Sequence, residues 1–203
     1  NNRLLVTHIY EPNLWAFDAA TFKALDKISL DAPQKSIAKS LDSEAIAVAL
    51  QGPNPSMALL SPNNLKQVEH IALPLTPEWI APGPNPNHWT VSSRESPALM
   101  SLKRTEKPWT TTVHPLSRPL LSMIADATGN HIFATTTGYR PDGQPLKGNH
   151  FIQDQILKLD SLNLQLQARM ITHRRAETPK AEGDFLKWTA GAGPSSLSLM
   201  KNG

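Results

Sequence analysis

Seven histidines stand out as the side chains best suited to chemistry: His8, His70, His88, His114, His131, His150 and His173. An imidazole can shuttle a proton or bind a metal or haem iron. No pair shows His-x-His or His-x-x-x-His spacing, so a metal or haem site needs a fold that gathers distant histidines. His88 and His131 each follow an Asn or Gly-Asn turn, and His150 follows Gly-Asn. Trp89 adjoins His88, and Arg94, Tyr139 and Arg140 sit in loop contexts suited to an anionic ligand or a partner. Aromatic and arginine side chains dominate binding hot spots. The candidate binding set is therefore His88, Trp89, Arg94, His131, Tyr139, Arg140 and His150. The competing reading makes the histidines solvated or satisfied, and the tryptophans packing residues.

No residue is nominated as catalytic, and no metal ligand is assigned. Asp18, Asp42, Asp126 and Asp160 recur at the starts of turns, where an aspartate accepts bonds from nearby backbone amides. There is no Gly-x-x-x-x-Gly-Lys loop for phosphates and no Gly-x-Ser-x-Gly elbow. The absence of cysteine removes disulfides, zinc thiolates, iron–sulfur clusters and thiol nucleophiles. A net charge of +3 is too small and too dispersed to indicate nucleic acid. Its densest basic stretch, Arg169, His173, Arg174, Arg175 and Lys180, reads as a solvated strand end. No apolar run has the length of a membrane span. The chain opens on Asn1, which fits a processed form or a fragment.

The elements that must position these residues are short. Eighteen prolines against ten glycines disfavour long helices, because proline lacks a donor and clashes with the preceding turn. Three segments align without gaps: LWAFDAATFKALDKISL from Leu14, MALLSPNNLKQVEHIAL from Met57 and ILKLDSLNLQLQARMIT from Ile156. Each alternates, turns at Asp18, Ser61 or Asp160, then alternates again, and Phe22, Leu65 and Leu164 fall at one offset. That pattern predicts a β-hairpin. A degraded copy, LMSLKRTEKPWTTTV, begins at Leu99. The period is just over forty residues, except where the loop TTTGYRPDGQPLKGNHF lengthens the last one.

Two further strands precede each hairpin: Ser36–Ser40 and Ala45–Leu50, then Leu120–Ala125 and His131–Thr136, with a poorer pair around the turn at Pro84–Asn87. Four strands per repeat of this length predict an all-β fold, a β-propeller of four-stranded antiparallel blades. About four blades fit in one domain over 1–203: approximately 194–203 plus 1–32, then 33–76, 77–117 and 118–176. GPSSLSLMKNG near the C-terminus reads as a first strand and RLLVTHIYEP as a second. The ring is either closed by the termini or part of a larger one. Two copies making an eight-blade ring are a further option. Residues 177–193 read as an exposed connection.

The stretch Leu14-Trp15-Ala16-Phe17-Asp18, Thr21, Leu25 and Ile28 resembles the YVTN-type repeat of bacterial β-propellers, as do Pro33, Ala38, Ser40, Asp42 and Ile46-Ala47-Val48. The resemblance is strongest in the first two units. It implies export, to the periplasm or outside the cell. It transfers no catalytic residue, because the matching positions are turns and core. Relatives of this look include binding proteins, propeller subunits of quinoprotein amine dehydrogenases, a haem-binding propeller and a few lyases. The expectation is a non-catalytic binding or scaffold propeller without cofactor, offering loops to a protein partner, a second copy or a small ligand. The alternative is a periplasmic redox subunit associated with quinone or haem, or a propeller lyase.

Overall fold

The computed structural model describes residues 2–93, 95–106, 108–118, 120–136 and 151–176, with 151–154 and 171–176 described by backbone alone. All regular structure in them is β. The first sheet holds β1 (Arg3–Val6), β2 (Asn13–Asp18) and β3 (Ala24–Ser29). The second holds β4 (Gln34–Lys39), β5 (Ile46–Leu50), β6 (Ser56–Leu60) and β7 (Gln67–Ala72). The third holds β8 (Trp79–Pro82), β9 (His88–Ser93), β10 (Ala98–Lys103) and β11 (Thr110–Pro115). The fourth holds β12 (Leu120–Ala125), β13 (His131–Thr136), β14 (Phe151–Asp160) and β15 (Leu166–Ala176). Every pairing is antiparallel between sequence neighbours, so each sheet is a meander.

The hairpin repeat is geometric as well as sequential. Phe22 N donates to Asp18 O, Leu65 N to Ser61 O and Leu164 N to Asp160 O, each at 2.8 Å. The three donors adopt left-handed φ values of 55°, 57° and 58°. A side chain there costs about 1 kcal/mol, which explains why this offset stands out without sharing a packing role. Asp18 Oδ1 supports its turn by accepting from Thr21 N at 2.7 Å, which holds the carboxyl below its usual pKa.

Packing is radial. One core cluster, with Leu14, Val48 and Leu60, lies between the first and second sheets. Another, with Met57, Trp89 and Met100, lies between the second and third. A third, with Leu99, Met123 and Ile132, lies between the third and fourth. The first strands of successive sheets touch, β4 with β8 and β8 with β12, so they run innermost. Among the described residues, no such cluster joins the fourth sheet to the first. The long loop before β14, the connection after Ala176 and the strand expected in 194–203 lie outside the described residues.

Candidate functional site

The turns leaving the inner strands converge. A Cβ on Gly129 would meet Gly83 O at 2.4 Å and the Leu41 side chain at 2.7 Å. The second, third and fourth sheets therefore touch at one end of the axis, and Gly129, at φ 69°, is needed both for its backbone and for the close approach. Asp126 builds the last of these turns. Its Oδ1 accepts from Thr128 N and Asn130 N, both at 3.1 Å, and Oδ2 lies 2.6 Å from His131 Nδ1. Partial burial pulls the Asp126 pKa upward, but bonds from His131 and Thr128 outweigh it and the value falls below the usual one.

Beside these turns lies a cavity of about 510 Å³ walled by the inner strands, with Lys35, Lys39, Trp79, Ile80, Met123 and Asp126 among its lining residues. Lys35 sits 3.8 Å from the buried Glu78 carboxylate. The Trp79 indole N–H is buried without a hydrogen-bond partner. A buried donor left unpaired costs about 1–3 kcal/mol. The cavity thus has two lysines, one of them near Glu78, and apolar walls in its lining, a combination that suits an anionic group carried on an apolar body.

The predicted site residues divide sharply. His88 and His131 open β9 and β13 at equivalent register positions, His88 opposite Lys103 and His131 opposite Asp160. Their surroundings differ. His131 is half-buried, with Nδ1 on Asp126. His88 is buried, with Nε2 at 3.2 Å from Ser101 Oγ and Nδ1 unpartnered. Burial, aided by the Lys103 ammonium, lowers the His88 pKa to about 4. The ring presses on Gly83, where a Cβ would lie 2.7 Å from it. Trp89 leaves the binding set: it is fully buried between the second and third sheets, as its packing reading requires. Arg94, Tyr139, Arg140 and His150 lie outside the described residues.

The quinone or haem alternative can be tested on these side chains. His88 does not fit an axial ligand, because its free nitrogen is sealed inside the fold. Among the described residues, no group of three His, Asp or Glu side chains could hold a metal ion.

Sequence reasoning missed Lys35, Lys39 and Glu78. A signal exists for Lys39, which sits in the strand expected at Ser36–Ser40 with Lys35 just before it, but nothing in the sequence says that this strand faces an axis. It also missed Arg104, whose Nη1 reaches Glu69 of the neighbouring sheet at 2.7 Å and whose guanidinium stacks over Trp109.

No family model and no curated protein matches the chain. Solved structures do. Kuenenia stuttgartiensis hydrazine synthase superposes with a TM-score of 0.65 at 12% identity, over 85% of this chain and 46% of that one. The β-propeller domain of Myceliophteria thermophila Cps50 (Swd1) gives a TM-score of 0.59 at 13% identity, over 84% of this chain and 57% of that one. The fold is a β-propeller. The chain spans about half the length of these two solved chains. At such identities the likeness concerns architecture alone.

Proposed function

We propose that this propeller is a binding scaffold whose axial cavity takes an anionic group, presented by a small ligand or by an acidic loop of a protein partner. The observation that carries the reading is the cavity between the inner strands, with Lys35 and Lys39 in its lining beside the apolar Ile80 and Met123. The neighbouring polar groups at this end already have structural duties: Asp126 holds its turn and Asp42 binds Ser40 Oγ at 2.6 Å. A rigid scaffold with converging turns is where such sites form. The YVTN-type resemblance supports export as part of this reading.

The test is fluorescence of Trp79, titrated with inorganic phosphate and with succinate as anionic probes. Saturable quenching that vanishes in Trp79→Phe and weakens at least tenfold in Lys39→Glu is the expected result. No response to either probe, with the wild-type fold intact, would sink the proposal. Haem or quinone absorption bands in protein purified from its source would replace it with the redox reading.

A further inference from the structure

A second group of polar side chains gathers at the turns of the third and fourth sheets and shares no residue with the axial cavity. The turn between β8 and β9 supplies Asn85 and Asn87. The end of β10 and the turn after it supply Lys103, Arg104 and Thr105, and Leu162 comes from the turn between β14 and β15. Together with the buried His88 they wall a pocket of about 250 Å³. Arg104 N donates to Asn87 O at 3.0 Å and ties the first two turns together. Lys103 Nζ donates to Leu162 O and ties the third sheet to the fourth.

The lining is one-sided in its chemistry. Asn85 Oδ1 accepts from Asn87 N at 3.0 Å, so Nδ2 is the group Asn85 has left for a ligand. Asn87 Oδ1 accepts from Arg104 Nε at 3.1 Å and from Nη2 at 2.9 Å, so Asn87 likewise has its Nδ2 left. Both orientations are forced, because a backbone amide and a guanidinium can only donate. Lys103 carries three donors and spends one on Leu162. Among the described residues no carboxylate lines the pocket. Glu69 is taken up by Arg104 Nη1 at 2.7 Å, and Asp160 Oδ1 by the amides of Leu162 and Asn163. The Arg104 charge is thereby balanced, whereas Lys103 has no ion-pair partner among the described residues. At His88 the Lys103 ammonium outweighs Asp160, which marks the local potential as positive.

We propose that this pocket binds a tetrahedral oxyanion, a phosphate or sulfate group, either free or as an ester. Lys103 supplies the charge, the Asn85 and Asn87 amides supply neutral donors from another turn, and the Thr105 hydroxyl adds one more. Donors on separate turns suit a group with several oxygens, where a carboxylate has only two. A lining that mainly donates also disfavours ligands that bring N–H groups of their own, since those would stay unpaired. Leu162, 47% exposed, gives the apolar body of an ester a surface to pack on.

The test is nuclear magnetic resonance of the full chain, following the side-chain amide signals of Asn85 and Asn87 during titration with sodium sulfate or phosphate at constant ionic strength. Saturable shifts of both are expected. Asn85→Asp keeps an acceptor for Asn87 N and replaces the donor by a carboxylate. Read on Asn87, it should weaken binding by about tenfold or more, and so should Lys103→Met. Lys23→Met removes the same charge from the first sheet and should leave the affinity as it is. No saturable shift in the unmodified protein, equal weakening in Lys23→Met and Lys103→Met, or acetate binding as tightly as sulfate would each overturn the proposal. Should Lys103→Met fail to fold, Asn85→Asp decides, because Asn85 is exposed. Phenyl phosphate separates the two sources: tighter binding than phosphate, with shifts of the Leu162 methyls, supports an ester, and equal binding supports the free ion. These signals belong to no residue of the axial cavity, so silence here leaves that site untouched.

Discussion

Val6 and Val48 are the same residue at the same place in two sheets, yet one is 40% exposed and the other is sealed. Both sit on the second strand of a blade, opposite matching positions of the third strand, Trp15 and Ala58. What differs is the neighbourhood. β5 has β4 along one edge and the core of the first two sheets over one face; β1 lacks both inner edge and outer cover among the described residues. The contrast teaches that in this fold a strand owes its burial to the strand beside it and the sheet behind it, and little to its own composition. RLLV is more apolar than HWTV, yet HWTV is the buried one.

The comparison can be pressed hardest at the position shared by Leu4 and Trp89. Trp89→Ala should destabilise by about 3–5 kcal/mol in chemical denaturation, because a large side chain leaves a sealed core. Leu4→Ala should cost far less, because that side chain is largely exposed. The next position along, shared by Arg3 and His88, separates the sheets by pH. His88 titrates near 4 in the fold and near 6.5 when unfolded, so between these values the unfolded chain binds more protons. Stability gained from keeping His88 neutral is complete above about pH 6.5 and is lost as pH falls toward 4, by roughly 2–3 kcal/mol. Denaturation midpoints measured across that range should flatten in His88→Gln.

The two valines themselves come next. Val48→Ala should cost about 2 kcal/mol and Val6→Ala under about 0.5 kcal/mol. A Val6→Ala cost matching that of Val48→Ala would erase the difference between the sheets. A separate contrast lies at the hairpin turn, where Phe22 is 70% exposed and its counterpart Leu65 is 1% exposed, both at positive φ. Phe22→Gly should raise stability by about 0.5–1 kcal/mol in thermal melts, since glycine removes the left-handed strain and little packing is lost. Leu65→Gly should lower it, because a buried side chain disappears.

Much of the architecture was legible because it is local. Alternation, the Asp-led turns and the proline-rich breaks mark strands such as Leu120–Ala125 and His131–Thr136 at their actual limits. The aligned trio Phe22, Leu65 and Leu164 was visible as a pattern, although its cause, a shared backbone conformation, was not. The candidate site was legible only in outline. Histidines in equivalent positions could be paired from the sequence, but their fates diverged: His131 on a carboxylate, His88 against a glycine.

What the residues determined by themselves is the periodicity, hence strands, turns and the hairpin repeat, because a side chain's direction along a strand and a turn's backbone preference are decided within a few residues. What the tertiary structure alone decided is exposure and chemistry at the axis. Whether Trp89 packs, whether His88 holds a proton and whether Lys39 faces a cavity depend on sheets far apart in sequence. Desolvation and charge act across space, and only the assembled blades bring those groups together.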